Sequence, residues 1–216
     1  MEDYTAGKPW KIAKQQRILR AAYRLFSERG ITSVTIPEVA AASGVGRATV
    51  FRYFPSKLDL VVAIGAWKWQ EYIDARNASL SRRALERMTA AQWLRFYLDA
   101  FIDLYRRRPE ILRFNYDFNS YLRFEGETEE KNRPYLQVVD RLGGMFHELY
   151  ERGLQDGTLN ADIPEESMFS SSFHIMLAAA TCYAVGLVYV PEKITDPGKE
   201  LEMLEELLLE KFTRAE

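Results

Sequence analysis

An all-α chain of about nine helices is the fold the 216-residue sequence predicts, and three features predict it. Apolar residues recur at steps of three and four through long blocks. Capping residues and Pro or Gly stops bound those blocks. No stretch sustains the two-residue alternation of a half-buried strand.

The elements follow in order. In KIAKQQRILRAAYRLFSERG, Ile18, Ala21, Ala22, Leu25 and Phe26 share a face, and Gly30 stops the run. Thr35 caps a second helix, Pro37 fits its first turn, and Glu38 completes a capping box. Ser43-Gly44 ends that helix after about two turns. A third short helix runs from about Gly46 to Phe54 and stops at Pro55. Ser56 caps a long fourth, KLDLVVAIGAWKWQEYIDARNASL. Thr89 opens a helix with Trp93, Tyr97, Ala100, Phe101 and Leu104 along one face, and Pro109 opens the next. EGETEEKNR reads as a solvated loop, and a helix from about Pro134 reaches Gly157. Residues 167–190 form a long uncharged helix, and Asp196-Pro197 starts the last, with Leu201, Leu204 and Leu208 in a stripe.

The chain is 47% hydrophobic and 28% charged, an ordinary balance for a globular protein. Its net charge of −2 conceals an asymmetry: residues 1–60 carry ten Lys/Arg against five Asp/Glu, and the remainder carries an acidic excess. A basic head on an acidic body is the expectation. Cys182 is the only cysteine, which excludes an internal disulfide, and it reads as a small buried apolar residue. The N-terminus lacks the apolar segment of a secretory signal, so a cytoplasmic location is expected. Residues 167–190 contain no Asp, Glu, Lys or Arg and have the length of a bilayer span. They lack flanking Lys/Arg clusters and include Ser, Thr and His, so a helix buried all round inside the protein is the better reading, with no membrane partner.

Helices two and three are spaced as a helix-turn-helix, with Ala40, Gly44 and Val50 at its three sterically constrained positions. Ala40 is small where the third helix crosses, and Gly44 takes the tight turn. Val50 points inward, with Phe54 one turn on. Arg47, Ala48, Thr49, Phe51, Arg52 and Tyr53 then cover most of the remaining surface of a two-turn helix. Aromatics among cations on an exposed face suit DNA: Arg donates two parallel bonds to guanine, Thr reads base edges, and rings pack on thymine methyls or sugar. Lys57 is placed to hold a phosphate, as are free N–H groups at the helix starts near Thr35 and Lys57. Lys8, Lys11 and Lys14 are in reach of the flanking backbone.

TIPEVAAASGVGRATVFRYFPSKLDLV resembles the tetracycline-repressor (TetR/AcrR) family of bacterial regulators. Thr49, Phe51, Phe54 and Lys57 match that family's threonine, aromatic, phenylalanine and lysine run, and Gly44 and Val45 match its turn. The resemblance is specific over roughly residues 12–65. It implies a DNA-binding domain at 1–55 and a helical ligand-binding and dimerisation domain at 56–216. It also implies that Arg47, Thr49, Phe51, Arg52, Tyr53 and Lys57 are DNA-facing; Thr35 and Ala48 complete the candidate DNA-binding set. Two positions depart from the pattern: Phe51 stands where the family usually has tyrosine, and Tyr53 where it often has histidine.

The family implies a homodimer through the last two helices. Ala178, Cys182 and Gly186 form a small-residue stripe at four-residue steps that lets a second helix approach, and Leu201, Leu204 and Leu208 accompany it. Two recognition helices would read a palindromic operator. For the ligand site, Trp93, Tyr97, Phe101, Tyr105, Phe114, Phe118 and Tyr121 suggest a largely apolar cavity for a small-molecule effector, with the two histidines, His147 and His174, as polar candidates. The histidines share no metal-ligand spacing, so neither a metal nor any other cofactor is expected. Gly143-Gly144, in mid-helix, suggests a kink beside a pocket.

These features predict a repressor released from its operator by its effector. A helical adaptor without DNA binding is the alternative. An enzyme is disfavoured, because the chain carries no G-x-S-x-G, no H-E-x-x-H and no phosphate-binding glycine loop.

Overall fold

A computed structural model of the chain describes residues 9–125, 128–187 and 196–214. These form ten helices: α1 (Pro9–Arg29), α2 (Ile36–Ser43), α3 (Arg47–Tyr53), α4 (Lys57–Ala78), α5 (Arg82–Arg87), α6 (Ala90–Arg107), α7 (Pro109–Glu125), α8 (Glu129–Asp156), α9 (Glu165–Ala184) and α10 (Pro197–Phe212). Among the described residues the only extended pairing is a single antiparallel bridge between Leu159 and Thr213.

The chain divides into two compact units, Met1–Lys68 with Asp117–Tyr135, and Trp69–Tyr116 with Leu136–Glu216. The first therefore extends past residue 55, where the sequence suggested a boundary, and takes in parts of α4, α7 and α8.

In the first unit, Ile18, Ala22 and Phe26 of α1 are buried with Val39 and Ala40 of α2 and Val50 of α3. Leu60, Val61 and Ile64 of α4 complete the core. Gly65 is required by packing, since a Cβ there would lie 2.8 Å from Cε2 of Phe118.

In the second unit, α6, α9 and α10 pack on one another. Leu94, Leu98, Leu104, Met168, Met176, Ala180 and Leu201 are buried there. The start of α6 is held from a distance: the Ala90 N–H donates to Oδ2 of Asp156 at 2.8 Å, and the Ala91 N–H to Oγ1 of Thr158 at 3.1 Å. These bonds satisfy amides that a helix leaves unpaired at its start.

Several expectations are corrected. Helix α5 is an addition, capped by the Ser81 side chain, which accepts from the Ala84 N–H. Helix α8 begins at Glu129, so most of the expected EGETEEKNR loop is helical and Pro134 lies inside the helix. Helix α9 ends at Ala184, short of residue 190, and Gly186 follows with φ 78°. The uncharged helix is not buried all round: Ile175, Ala178 and Cys182 are exposed. Among the described residues no helix is long and apolar enough to cross a membrane. Helix α8 continues through Gly143 and Gly144, where an added Cβ would meet nothing within 4 Å, so no steric need explains the pair.

Candidate nucleic-acid interface and interior cavity

The turn before α3 is built by backbone geometry. Gly44 sits in the left-handed region (φ 63°, ψ 35°), and the Val45 N–H closes on the Ala40 carbonyl at 3.1 Å. A side chain at Gly44 would cost roughly 1 kcal/mol or more. Gly46 then caps α3 with its carbonyl, which accepts from the Thr49 N–H at 2.8 Å. Val50 is fully buried and Phe54 nearly so, which fixes the roll of α3 about its axis. Arg47, Ala48 and Arg52 are exposed as a result, and Thr49, Phe51 and Tyr53 half-exposed.

The two arginines are paired with the aromatics. The Arg47 guanidinium lies 5.3 Å from the Phe51 ring centroid and that of Arg52 5.7 Å from Tyr53. Cation–π contacts at exposed sites are weak, about 0.5–1 kcal/mol. They bias the guanidinium rotamers and leave the N–H groups free to donate. Rings and cations thus share one helix face.

Two flanking residues are more committed. Thr35 and Glu38 form the expected capping box, with the Thr35 hydroxyl donating to Oε2 of Glu38 at 2.7 Å and Arg29 pairing with Glu38 at 2.7 Å. Hydrogen bonds from the Thr35 backbone and hydroxyl, then Arg29, pull the Glu38 carboxyl down to about 2. Lys57 is half-buried: its ammonium donates to the Thr32 carbonyl at 3.3 Å and lies over the rings of Phe26 and Tyr121, and desolvation pushes its pKa down. Lys57 therefore ties the α1–α2 connection to α4 as well as standing near α3 in sequence. Lys14 is half-exposed on α1; Lys8 and the side chain of Lys11 lie outside the described residues.

The second unit holds a cavity of about 40 Å³ walled by α4, α6, α8 and α9 residues, among them Trp69, Tyr72, Tyr97, Phe101, Met145 and Phe173. A smaller void beside it shares Tyr97, Phe101, Leu142 and Phe173. Of the expected ligand residues, Tyr97 and Phe101 line this space. Trp93 stacks on Tyr97 with centroids 6.3 Å apart, and Tyr105 packs edge-on against Tyr183. Phe114 is buried outside the lining. Phe118 and Tyr121 belong to the first unit, where Phe118 packs on Tyr135. His147 is exposed and pairs with Glu165 at 2.9 Å, a contact that raises its pKa, and His174 is exposed. Trp69, Tyr72, Arg76 and Asn77 of α4 were missed, because nothing in their stretch marks it as more than a long helix.

On α10, Leu201 and Leu208 are buried within the subunit and Leu204 is half-buried. The outward apolar residues are Met203 and Leu207, which are 63% and 56% exposed. On α9 the outward stripe is Ile175, Ala178 and Cys182, and Gly186 beyond its end is also exposed.

Residues 18–64 match the profile of bacterial regulatory proteins of the tetR family. That match covers the head of the chain, α1 to α4. An HTH-type transcriptional regulator of Mycobacterium tuberculosis is 44% identical over 57 residues, 24% of this chain and 28% of that protein. The match to this relative thus spans little more than a quarter of the relative's length. The HTH-type transcriptional repressor KstR of Mycolicibacterium smegmatis is 26% identical over 163 residues, covering 72% of this chain and 70% of that protein. Among solved structures, the transcriptional regulator FadR of Bacillus subtilis in complex with stearoyl-CoA superposes with a TM-score of 0.69 at 16% identity, covering 91% of this chain and 98% of that one. At that identity the likeness speaks for the fold.

Proposed function

We propose that this chain is a sequence-specific DNA-binding transcriptional regulator of the tetR family, a repressor that leaves a palindromic operator when a small, largely apolar effector binds its second unit. The observation that carries the reading is the roll of α3: Val50 and Phe54 are buried, and Arg47 and Arg52 are exposed. Residues 1–55 act as the DNA-binding domain and 56–216 as the ligand-binding and dimerisation domain. Arg47, Thr49, Phe51, Arg52 and Tyr53 meet base edges and sugar, with Ala48 at close approach. Thr35 and Lys57 stand at the rim, where the ammonium protons of Lys57 not given to Thr32 hold a phosphate.

The protein works as a homodimer, since one two-turn helix supplies little affinity and two read half-sites about 34–36 Å apart. The outward apolar residues of α9 and α10 support that pairing. The effector acts through its differential affinity for two conformers, only one of which spaces the two α3 helices for DNA. The stearoyl-CoA complex of FadR and the repressor KstR support the ligand-responsive role, and a cytoplasmic location and a non-enzymatic role belong to the same proposal.

Selection from a pool of random duplexes tests the reading. The wild-type chain enriches an inverted repeat that Arg52→Ala no longer shifts in a gel. A pool that shows no enrichment contradicts it.

A further inference from the structure

We infer that the cavity of the second unit is built for a small organic monocarboxylate, whose anionic head is held by Arg76 and Tyr97 and whose apolar body is one ring or a short chain. The inference rests on the reading of that cavity as the effector site and adds the chemistry of the ligand.

Few polar side chains interrupt the apolar wall of this cavity. The indole N–H of Trp69 is spent on Oδ1 of Asn115 at 3.1 Å, and the Tyr72 hydroxyl on the Ala100 carbonyl at 2.6 Å. Two donors remain. Nε of Arg76 and the hydroxyl of Tyr97 are each buried without a hydrogen-bond partner. The Trp93 side chain approaches the Tyr97 hydroxyl without reaching hydrogen-bond geometry. Burial raises the Tyr97 pKa, so the hydroxyl keeps its proton and stays a donor. Asn77 adds a weakly used amide, whose Nδ2 reaches only Sδ of Met145 at 3.7 Å.

Arg76 is half-buried and has no acidic partner among the described residues. Its Nη2 donates to the Phe96 carbonyl at 2.9 Å and its guanidinium lies 4.1 Å from the Phe96 ring centroid. Asp74, two residues earlier, is taken by Arg141 at 2.9 Å. The cavity wall contains no Asp, Glu or Lys. A cation is repelled by such a wall, and a neutral apolar molecule leaves two buried donors unsatisfied. A carboxylate in reach of both would accept from them and pair with the guanidinium.

Size limits the body. The cavity of about 40 Å³ is well below the roughly 150 Å³ of an apolar cavity that admits benzene. Ligand entry therefore requires wall side chains to move, and the unbranched Met145 is the wall's most adaptable member.

The test is direct binding to the purified full chain without DNA, by calorimetry and by tryptophan fluorescence, using benzoate, phenylacetate and hexanoate against benzamide, phenylacetamide and hexanamide. The expected result is that at least one acid binds about tenfold or more tighter than its amide. Arg76→Gln brings that acid to the level of its amide without weakening the amide, and Tyr97→Phe costs the acid several-fold. Should Arg76→Gln fail to fold by circular dichroism, Tyr97→Phe and the wild-type acid–amide comparison decide. Equal binding of acid and amide, a preference that survives Arg76→Gln, or no binding by any of the three acids overturns the inference. Because no DNA is present, these outcomes are independent of whether the chain binds an operator.

Discussion

The Lys57 ammonium donates to the Thr32 carbonyl at 3.3 Å while lying 5.5 Å from the Tyr121 ring centroid. One side chain therefore joins three elements of the first unit: the α1–α2 connection, α4 and α7. Lys57→Ala is expected to act twice. It lowers the stability of that unit by about 1 kcal/mol, read as a lower melting temperature. It also reduces the slope of log affinity against log salt by about 1, for one lost phosphate. A loss of slope with no loss of melting temperature would show that the tie to Thr32 contributes nothing.

Leu207→Glu tests the dimer. The side chain is 56% exposed, so the subunit itself tolerates a charge there, whereas an apolar subunit contact does not. Light scattering is expected to give a dimer for the wild type and a monomer for the variant, with unchanged helical content. A variant that remains dimeric places the contact elsewhere.

Glu205 is the buried charge of the second unit, 3% exposed on the inward face of α10 between Leu201 and Leu208. Burial, then Asp99, pushes its pKa up to about 7 against the pull of Arg95, 3.8 Å away; Glu206 and Glu202 add to the rise. Its folded pKa lies above the unfolded value near 4.5. The native state then holds a proton that the unfolded chain has released, and stability falls as pH rises from about 4.5 to about 7. Glu205→Gln is expected to raise the melting temperature at pH 8, by a stabilisation of about 2 kcal/mol, and to change it little at pH 4.5. An equal gain at both pH values contradicts the assignment.

What was legible in the sequence follows the range of the interactions involved. The capping box of Thr35 and Glu38, the left-handed Gly44 and the inward Val50 are set by neighbours within a few residues, and each was readable. Helix α5 was not, because RRALER is only six residues long and offers Ala84 and Leu85 as its sole apolar pair. The stripe of Leu201, Leu204 and Leu208 identified a helix correctly without telling which side meets the subunit's own core, since leucine serves both. Glu205 holds an inward position that periodicity reserves for an apolar residue. Arg76 reads as a solvated helix charge until the tertiary fold brings Phe96 over it. Aromatic content pointed to α6 and α7 for the cavity, and α4 supplied much of the wall.

Salt-dependent binding to a selected duplex tests the central claim most directly, with the wild type compared with Arg47→Ala and Arg52→Ala. Both side chains are exposed and anchor no core, so both variants should keep the wild-type melting temperature and dimeric state. The account predicts a steep salt slope for the wild type and a loss of roughly tenfold or more in affinity for each variant, from a lost guanine or phosphate contact. Wild-type affinity in both variants would contradict it.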